Sequence, residues 1–174
     1  MSQLKIIVAP DPRLKRNANP VVSVDSVVQK LMNDMLETMY VANGIGLAAP
    51  QVGILDRVIV IDIANKKGGE KPCPILMANP EIIGIADEDD THEEGCLSFP
   101  SYFANVSRPK WIHVRYVDQK NRQQELRAEG LTAVCLQHEM DHLDGILFVD
   151  YLSSLKRNMI IRKLVKFKRK NVQA

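Results

Sequence analysis

The residues with the most chemical potential stand together as His138-Glu139-Met140-Asp141-His142. On an α-helix, side chains four apart lie one above the other, about 6 Å apart along the axis. Two imidazoles so placed can both reach one divalent ion through bonds of roughly 2.0–2.1 Å. Glu139 follows the first histidine directly, the position from which a carboxylate stands beside an ion-bound water without ligating the ion. Two histidines do not complete a site, so a third ligand has to come from elsewhere. No His or Glu follows His142, and the later acids are Asp144 and Asp150. The downstream third ligand of HExxH proteases is therefore missing.

Upstream, the candidates are His92, Cys96, His113 and Cys135. Cys135 shares a helical face with His138, but seven residues separate it from His142, about 10.5 Å of helix axis. One ion does not bridge that span comfortably. His113 falls in the middle of an alternating, strand-like run, which suits a packed or surface side chain. His92 falls in the acidic stretch DEDDTHEEG and is expected to be a solvent-facing loop residue. Cys96, in EGCLS, follows a glycine that lets the backbone approach closely, and is the ligand left by elimination. A Cys-His-His set leaves one coordination position open, as catalytic sites do and structural sites do not. A bound divalent ion acidifies water, and Glu139 can take a proton and later pass one to a leaving group. Metal-assisted hydrolysis is the chemistry this pattern predicts.

A third stretch, Asn43-Gly44-Ile45-Gly46-Leu47-Ala48-Ala49-Pro50-Gln51, has two glycines that permit close approach of a bound chain. Its alanines keep bulk low, and Gln51 offers a side-chain amide. Taken alone, a helix end running into a turn accounts for both glycines equally well. It is not a nucleotide-binding loop, because the third glycine and the preceding strand are absent.

These groups need elements to hold them. Apolar residues recur at helical spacing over residues 23–40, with Ser23 or Asp25 as N-cap and Asn43-Gly44 as the stop. Strand-like runs cover 57–63, 75–77, 81–85, 111–117 and 123–128, with a turn at 118–121. A loop rich in Lys, Gly and Pro covers 66–74. A helix is expected from about 131 to 143, closed by Gly145, and another from about 153 to 170. Helix, then strands, then helices is an α+β pattern: mixed or antiparallel sheets packed around a central HExxH helix, flanked by an N-terminal and a C-terminal helix.

With 174 residues, 45% hydrophobic and 25% charged, the chain suits one globular domain spanning 1–174. No apolar run of about 18 residues suggests a membrane span, and the start lacks the pattern of a secretory signal. Three cysteines are too few for a disulfide scaffold and suit a reducing cytoplasm. Eight of the 23 basic residues fall after Tyr151 with no acid among them, so the first 150 residues carry 15 basic against 21 acidic groups, net −6. A basic tail on an acidic body suits an anionic partner, although a solvated helix end fits the charge equally.

Taken in order, GIGLAAPQ (44–51), EGCLS (94–98) and HEMDH (138–142) resemble the three signature motifs of peptide deformylases. PDPRL near the start and LFVDYLSSLKR after the helix extend the resemblance over nearly the whole chain. The resemblance implies a hydrolase that removes the formyl group from the N-terminal formylmethionine of nascent polypeptides, releasing formate. It implies Cys96, His138 and His142 as metal ligands, with Fe²⁺ as the native ion and Zn²⁺ or Ni²⁺ able to replace it. Glu139 becomes the general base and then acid, with the Gln51 amide and the Leu97 backbone N–H as oxyanion donors. Ile45 and Gly46 pair with the substrate backbone as an added strand. The methionine pocket draws on Gly44, Ile45, Glu94, Leu131, Val134, Cys135 and His138, which turns Cys135 into a pocket wall. Many members have Val or Ile where this chain has Phe99, and some have Arg where it has Phe103. The basic helix at about 153–170 resembles a bacterial form that docks on the ribosome, where contacts to phosphates make binding salt-sensitive rather than sequence-specific. Two other readings compete: an HExxH-type metallopeptidase, disfavoured by the missing downstream ligand, and a non-catalytic metal-stabilised binding module, which a fourth protein ligand would favour.

Overall fold

A computed structural model describes residues 2–64 and 71–172. Helix α1 (Ser26–Val41) begins at Asp25, whose carboxylate accepts hydrogen bonds from the Val27 and Val28 backbone N–H groups. It ends where Asn43 turns to a φ of 54°. The five-stranded sheet runs β1-β2-β3-β6-β7 and every pairing in it is antiparallel. Its strands are β1 (Gly46–Ala48), β2 (Val58–Ile61), β3 (Ile75–Ile85), β6 (Trp111–Val117) and β7 (Gln123–Glu129). A separate antiparallel hairpin joins β4 (Asp89–Cys96) to β5 (Phe99–Pro109). Helix α2 (Gly130–Leu143) carries the two histidines, and α3 (Ser154–Val172) closes the described chain.

The apolar run of β2 is buried at all four positions because both faces of the sheet are covered. Val58 and Val60 pack with Met32, Met35 and Met39 of α1. Ile59 and Ile61 pack with Leu136, Met140 and Leu143 of α2 on the opposite face. This period-two division drives α2 into the centre of the molecule, where ten of its residues are buried. A third core joins the hairpin to the C-terminal segment through Phe99, Val106, Phe148, Ile160 and Leu164.

The α+β architecture matches expectation, with three corrections. Residues 75–77 and 81–85, expected as two runs, form one strand, with Asn79 at φ 49° at the bulge between them. The Asn79 side chain bonds both the N–H and the carbonyl of Val21, at 2.9 and 2.8 Å, and so holds that bulge. The acidic stretch around His92 is strand β4, not a loop; its partners across the ribbon include Ser107 and Arg108. Strands β1 and β5 were not anticipated either. The loop expected at 66–74 lies largely outside the described residues.

Candidate metal centre and substrate pocket

Two elements converge on one point. The end of β4 supplies Cys96, and α2 supplies His138 and His142 from successive turns. Their donor atoms all lie within 4.8 Å of one another, close enough to share one ion. Cys96 Sγ is 3.3 Å from His142 Nε2. His138 Nδ1 bonds Glu94 Oε2 at 2.9 Å, which leaves Nε2 to face the centre. His142 Nδ1 and Glu139 Oε2 are buried without a hydrogen-bond partner. A cysteine sulfur and two imidazoles make a donor set that fits a divalent cation, and the unpaired carboxylate oxygen stands beside it.

The electrostatics agree. Burial disfavours a charged His138, yet its hydrogen bonds to Cys96 and Glu94 prevail and hold its pKa well above the usual histidine range. The surroundings thus draw positive charge to the point between the donors, where an ion would compete with that proton. Burial, with the charges of His138 and Arg108, keeps His142 well below the ordinary value, and so neutral. Glu139 is pushed up to about 7, chiefly by burial, with the nearby His138 charge opposing. That lies close to the working range of a proton carrier at neutral pH.

Glu94 is 4% exposed, and its charge is supported by Arg108, also 4% exposed. Burial opposes its ionisation, but hydrogen bonds from His138 and Arg108 outweigh it and lower the Glu94 pKa. Arg108 donates to both Glu94 oxygens, and its Nη1 reaches Asp141 Oδ2 at 2.8 Å. The Tyr151 hydroxyl donates to the same Asp141 oxygen at 2.8 Å. Glu94→Gln keeps an acceptor for His138 but removes its charge. Metal affinity is expected to fall about 10–100-fold, read by competition with a chromogenic chelator.

Gln51 is oriented by its neighbours. Its Oε1 accepts from the Ala48 backbone N–H at 2.9 Å, which turns Nε2 toward Cys96 Sγ at 3.4 Å and Ser98 Oγ at 3.1 Å. Leu97 is partly buried against the α1 core. A cavity of about 460 Å³ opens beside the trio and is lined by Gly44, Ile45, Gly46, Glu94, Leu131, Val134, Cys135, His138 and Glu139. Cys135 faces this cavity, with its Sγ 3.5 Å from the Ile45 carbonyl. A Cβ on Gly46 would stand 2.4 Å from Glu139 Oε1 and 2.8 Å from Cys135 Sγ. Gly46→Ala is therefore expected to displace the carboxylate and lower kcat/KM about 100-fold, measured by steady-state turnover.

His92 and His113 stand apart, beside Asp90 at 3.4 Å and Glu125 at 3.2 Å. Phe99 is buried edge-on to Phe148, and the Phe148 ring lies 6.0 Å from that of His138. Sequence reasoning missed Ser98, Arg108, Asp141 and Tyr151. A buried Glu94 demands a counter-charge, but its burial is visible only in three dimensions.

An antiparallel sheet around a buried HExxH helix, with the third donor upstream and a cavity beside it, defines a class of metal-dependent hydrolases. Residues 3–158 match the family model described as polypeptide deformylase. A peptide deformylase of Bartonella tribocorum is 49% identical over 174 residues, covering 99% of this chain and 98% of the relative. A peptide deformylase crystal structure from Legionella pneumophila superposes with a TM-score of 0.90 at 46% identity, over 99% of both chains. One from Ehrlichia chaffeensis in complex with actinonin gives 0.92 at 42% identity, over 97% of this chain and 99% of that one. The chain belongs to the peptide deformylase family. It is a metal-dependent hydrolase that removes the N-formyl group from nascent polypeptides.

Proposed function

We propose that Cys96, His138 and His142 hold the ion and that Glu139 moves the proton in this deformylation. The observation that carries this is the trio of donors within 4.8 Å of one another beside the buried, unpartnered Glu139 oxygen. When bound, the ion supplies Lewis-acid polarisation and acidifies water. Glu139 accepts a proton from the attacking water and returns it to the departing amine, so that formate and a free N-terminus result. The Gln51 Nε2 and the Leu97 N–H donate to the oxyanion as it forms, and such preorganised donors each contribute about 3–4 kcal/mol. The free edge of β1 pairs with the substrate backbone through Ile45 and Gly46. Gly44, Ile45, Glu94, Leu131, Val134 and Cys135 surround the methionine side chain.

Iron(II) is the ion we assign, with Zn²⁺ and Ni²⁺ as substitutes, since a thiolate with two imidazoles suits all three. The direct test is formate release from a formyl-Met tripeptide by protein prepared anaerobically with Fe²⁺. Rapid release by protein carrying one ion per chain is expected; no release from such protein overturns the assignment.

The chain works as one unit in the cytoplasm, where formylated chains are made, and no helix among the described residues is long and apolar enough to cross a membrane. Helix α3 is its ribosome-docking element. Ile160 and Leu164 fix the helix to the core, while Arg162, Lys163 and Lys166 are exposed. Truncation near Leu155 would uncover that core, so substitution is the cleaner probe. Replacing Arg162, Lys163 and Lys166 by Gln is expected to weaken ribosome binding and to flatten its log–log salt dependence by about 2–3 in slope. Co-sedimentation across a salt series measures this; unchanged slopes would refute the docking role.

A further inference from the structure

The two donors assigned to the oxyanion come from elements far apart in the chain. Gln51 belongs to the short 3₁₀ turn Ala49–Val52 after β1, and Leu97 to the turn between β4 and β5. Neither element alone fixes where one donor stands relative to the other. Backbone joins them first. The Ile7 N–H donates to the Gln51 carbonyl at 2.7 Å and the Ala9 N–H to the Ser98 carbonyl at 2.9 Å, so residues 7–9 strap one turn to the other. Side chains join them too, because Gln51 Nε2 donates to Ser98 Oγ at 3.1 Å. Gln51 is 1% exposed and Ser98 0%, so water does not compete for this bond.

The strap holds the backbones but not the plane of the Gln51 amide, because the terminal torsion of glutamine is soft. The Ala48 backbone N–H can only donate, so the atom facing it at 2.9 Å is Oε1 and the NH₂ group lies on the other side. Nε2 carries two hydrogens. Ser98 Oγ takes one. The other faces Cys96 Sγ at 3.4 Å, a long contact to a weak acceptor, on the side where the three metal donors meet. We propose that Ser98 is a positioning residue for deformylation. By holding one N–H of Gln51 it directs the other to the oxyanion, and it ties that donor to the neighbouring Leu97 N–H. Ser98 does not line the cavity, so it acts through Gln51. The proposal rests on the assignment of Gln51 and Leu97 to the oxyanion.

The test is a double-variant cycle of Ser98→Ala and Gln51→Ala, with kcat and KM for a formyl-Met tripeptide and kcat taken per bound ion. Gln51→Ala is expected to lower kcat about 10²–10³-fold, as loss of one oxyanion donor does. Ser98→Ala is expected to lower kcat about tenfold, the scale of one hydrogen bond, with KM little changed because the loss falls on the transition state. In the Gln51→Ala background it is expected to have no further effect, the mark of a residue that acts through another. A second measurement needs no Gln51 variant. In the Zn²⁺-loaded protein, hydrogen exchange of the Gln51 side-chain N–H groups, followed by NMR, is expected to quicken about tenfold in Ser98→Ala. Equal losses of kcat from Ser98→Ala with and without Gln51, or unchanged exchange, would overturn the proposal and leave Ser98 as packing beneath the turn. Wild-type kcat in Gln51→Ala would instead overturn the oxyanion assignment on which it rests.

Discussion

Glu139→Ala is expected to keep its metal ion and lose turnover by about 10²–10⁴-fold, the usual contribution of a positioned general acid–base group. The two outcomes separate because Glu139 is not one of the three donors that converge. Its Oε2 has no hydrogen-bond partner, so its removal strips no neighbour of a bond at that atom. Its burial pushes its pKa up to about 7, a cost that the fold bears without a structural return. Removing a buried carboxylate with one oxygen unpaired is accordingly expected to leave stability unchanged or raised. Elemental analysis, formate release and chemical denaturation of the same preparation read all three quantities. If the ion is lost along with activity, Glu139 is a ligand and the donor set has to be redrawn.

The chemistry was legible in the sequence because it is written at helical spacing. His138 and His142 are four apart, and a helix alone brings them within reach of one ion. Elimination leaves Cys96 because Cys135 conflicts with helix rise, His113 falls in a strand pattern and His92 falls in an acidic, solvent-facing stretch. The supports of those ligands were not legible. Strand β4 is built from Asp, Thr, His and Glu up to Gly95-Cys96, and forms as a two-stranded ribbon with much of its length in water. It carries no apolar alternation to announce it. Arg108 pairs with Glu94 only because hairpin register places Ala104 and Arg108 at fixed steps along β5. Register is a long-range property that no local window contains. Phe99 likewise looks like a departure from the family pattern until its edge contact with Phe148, itself beside the His138 ring, is seen.

The buried charge network explains how a metal centre can be rigid within so small a core. Glu94 fixes His138, Arg108 fixes Glu94, and Asp141 and Tyr151 complete the enclosure of Arg108, whose guanidinium carbon lies 4.8 Å from the Tyr151 ring centroid. The whole chain of contacts links the turn that leads into α3 to a metal ligand. Asp141 adds a second counter-charge, so two carboxylates share one guanidinium. Those two carboxylates exceed the one guanidinium by a single negative charge, which faces the metal-ligand side through His138 and suits a site built for a cation.

Arg108→Met tests that balance with the second large effect. Methionine replaces most of the volume and none of the charge. Glu94 and Asp141 are then left with no cation between them, and breaking a buried pair from one side costs about 3–5 kcal/mol. Protonation of Glu94 would relieve part of this cost, but a protonated acid holds His138 Nδ1–H more weakly. Stability in urea and affinity for the ion are therefore expected to fall together. The double variant Glu94→Gln with Arg108→Met separates the two. It removes one of the two stranded charges and leaves Asp141, so a part of the lost stability returns, whereas metal affinity stays low because His138 still lacks an anionic partner. Loss of less than about 1 kcal/mol in Arg108→Met, the range of an exposed pair, would show that water reaches Glu94 and that the network does not hold the ligand. Full recovery of metal affinity in the double variant would show that the Glu94 charge is not what orients His138.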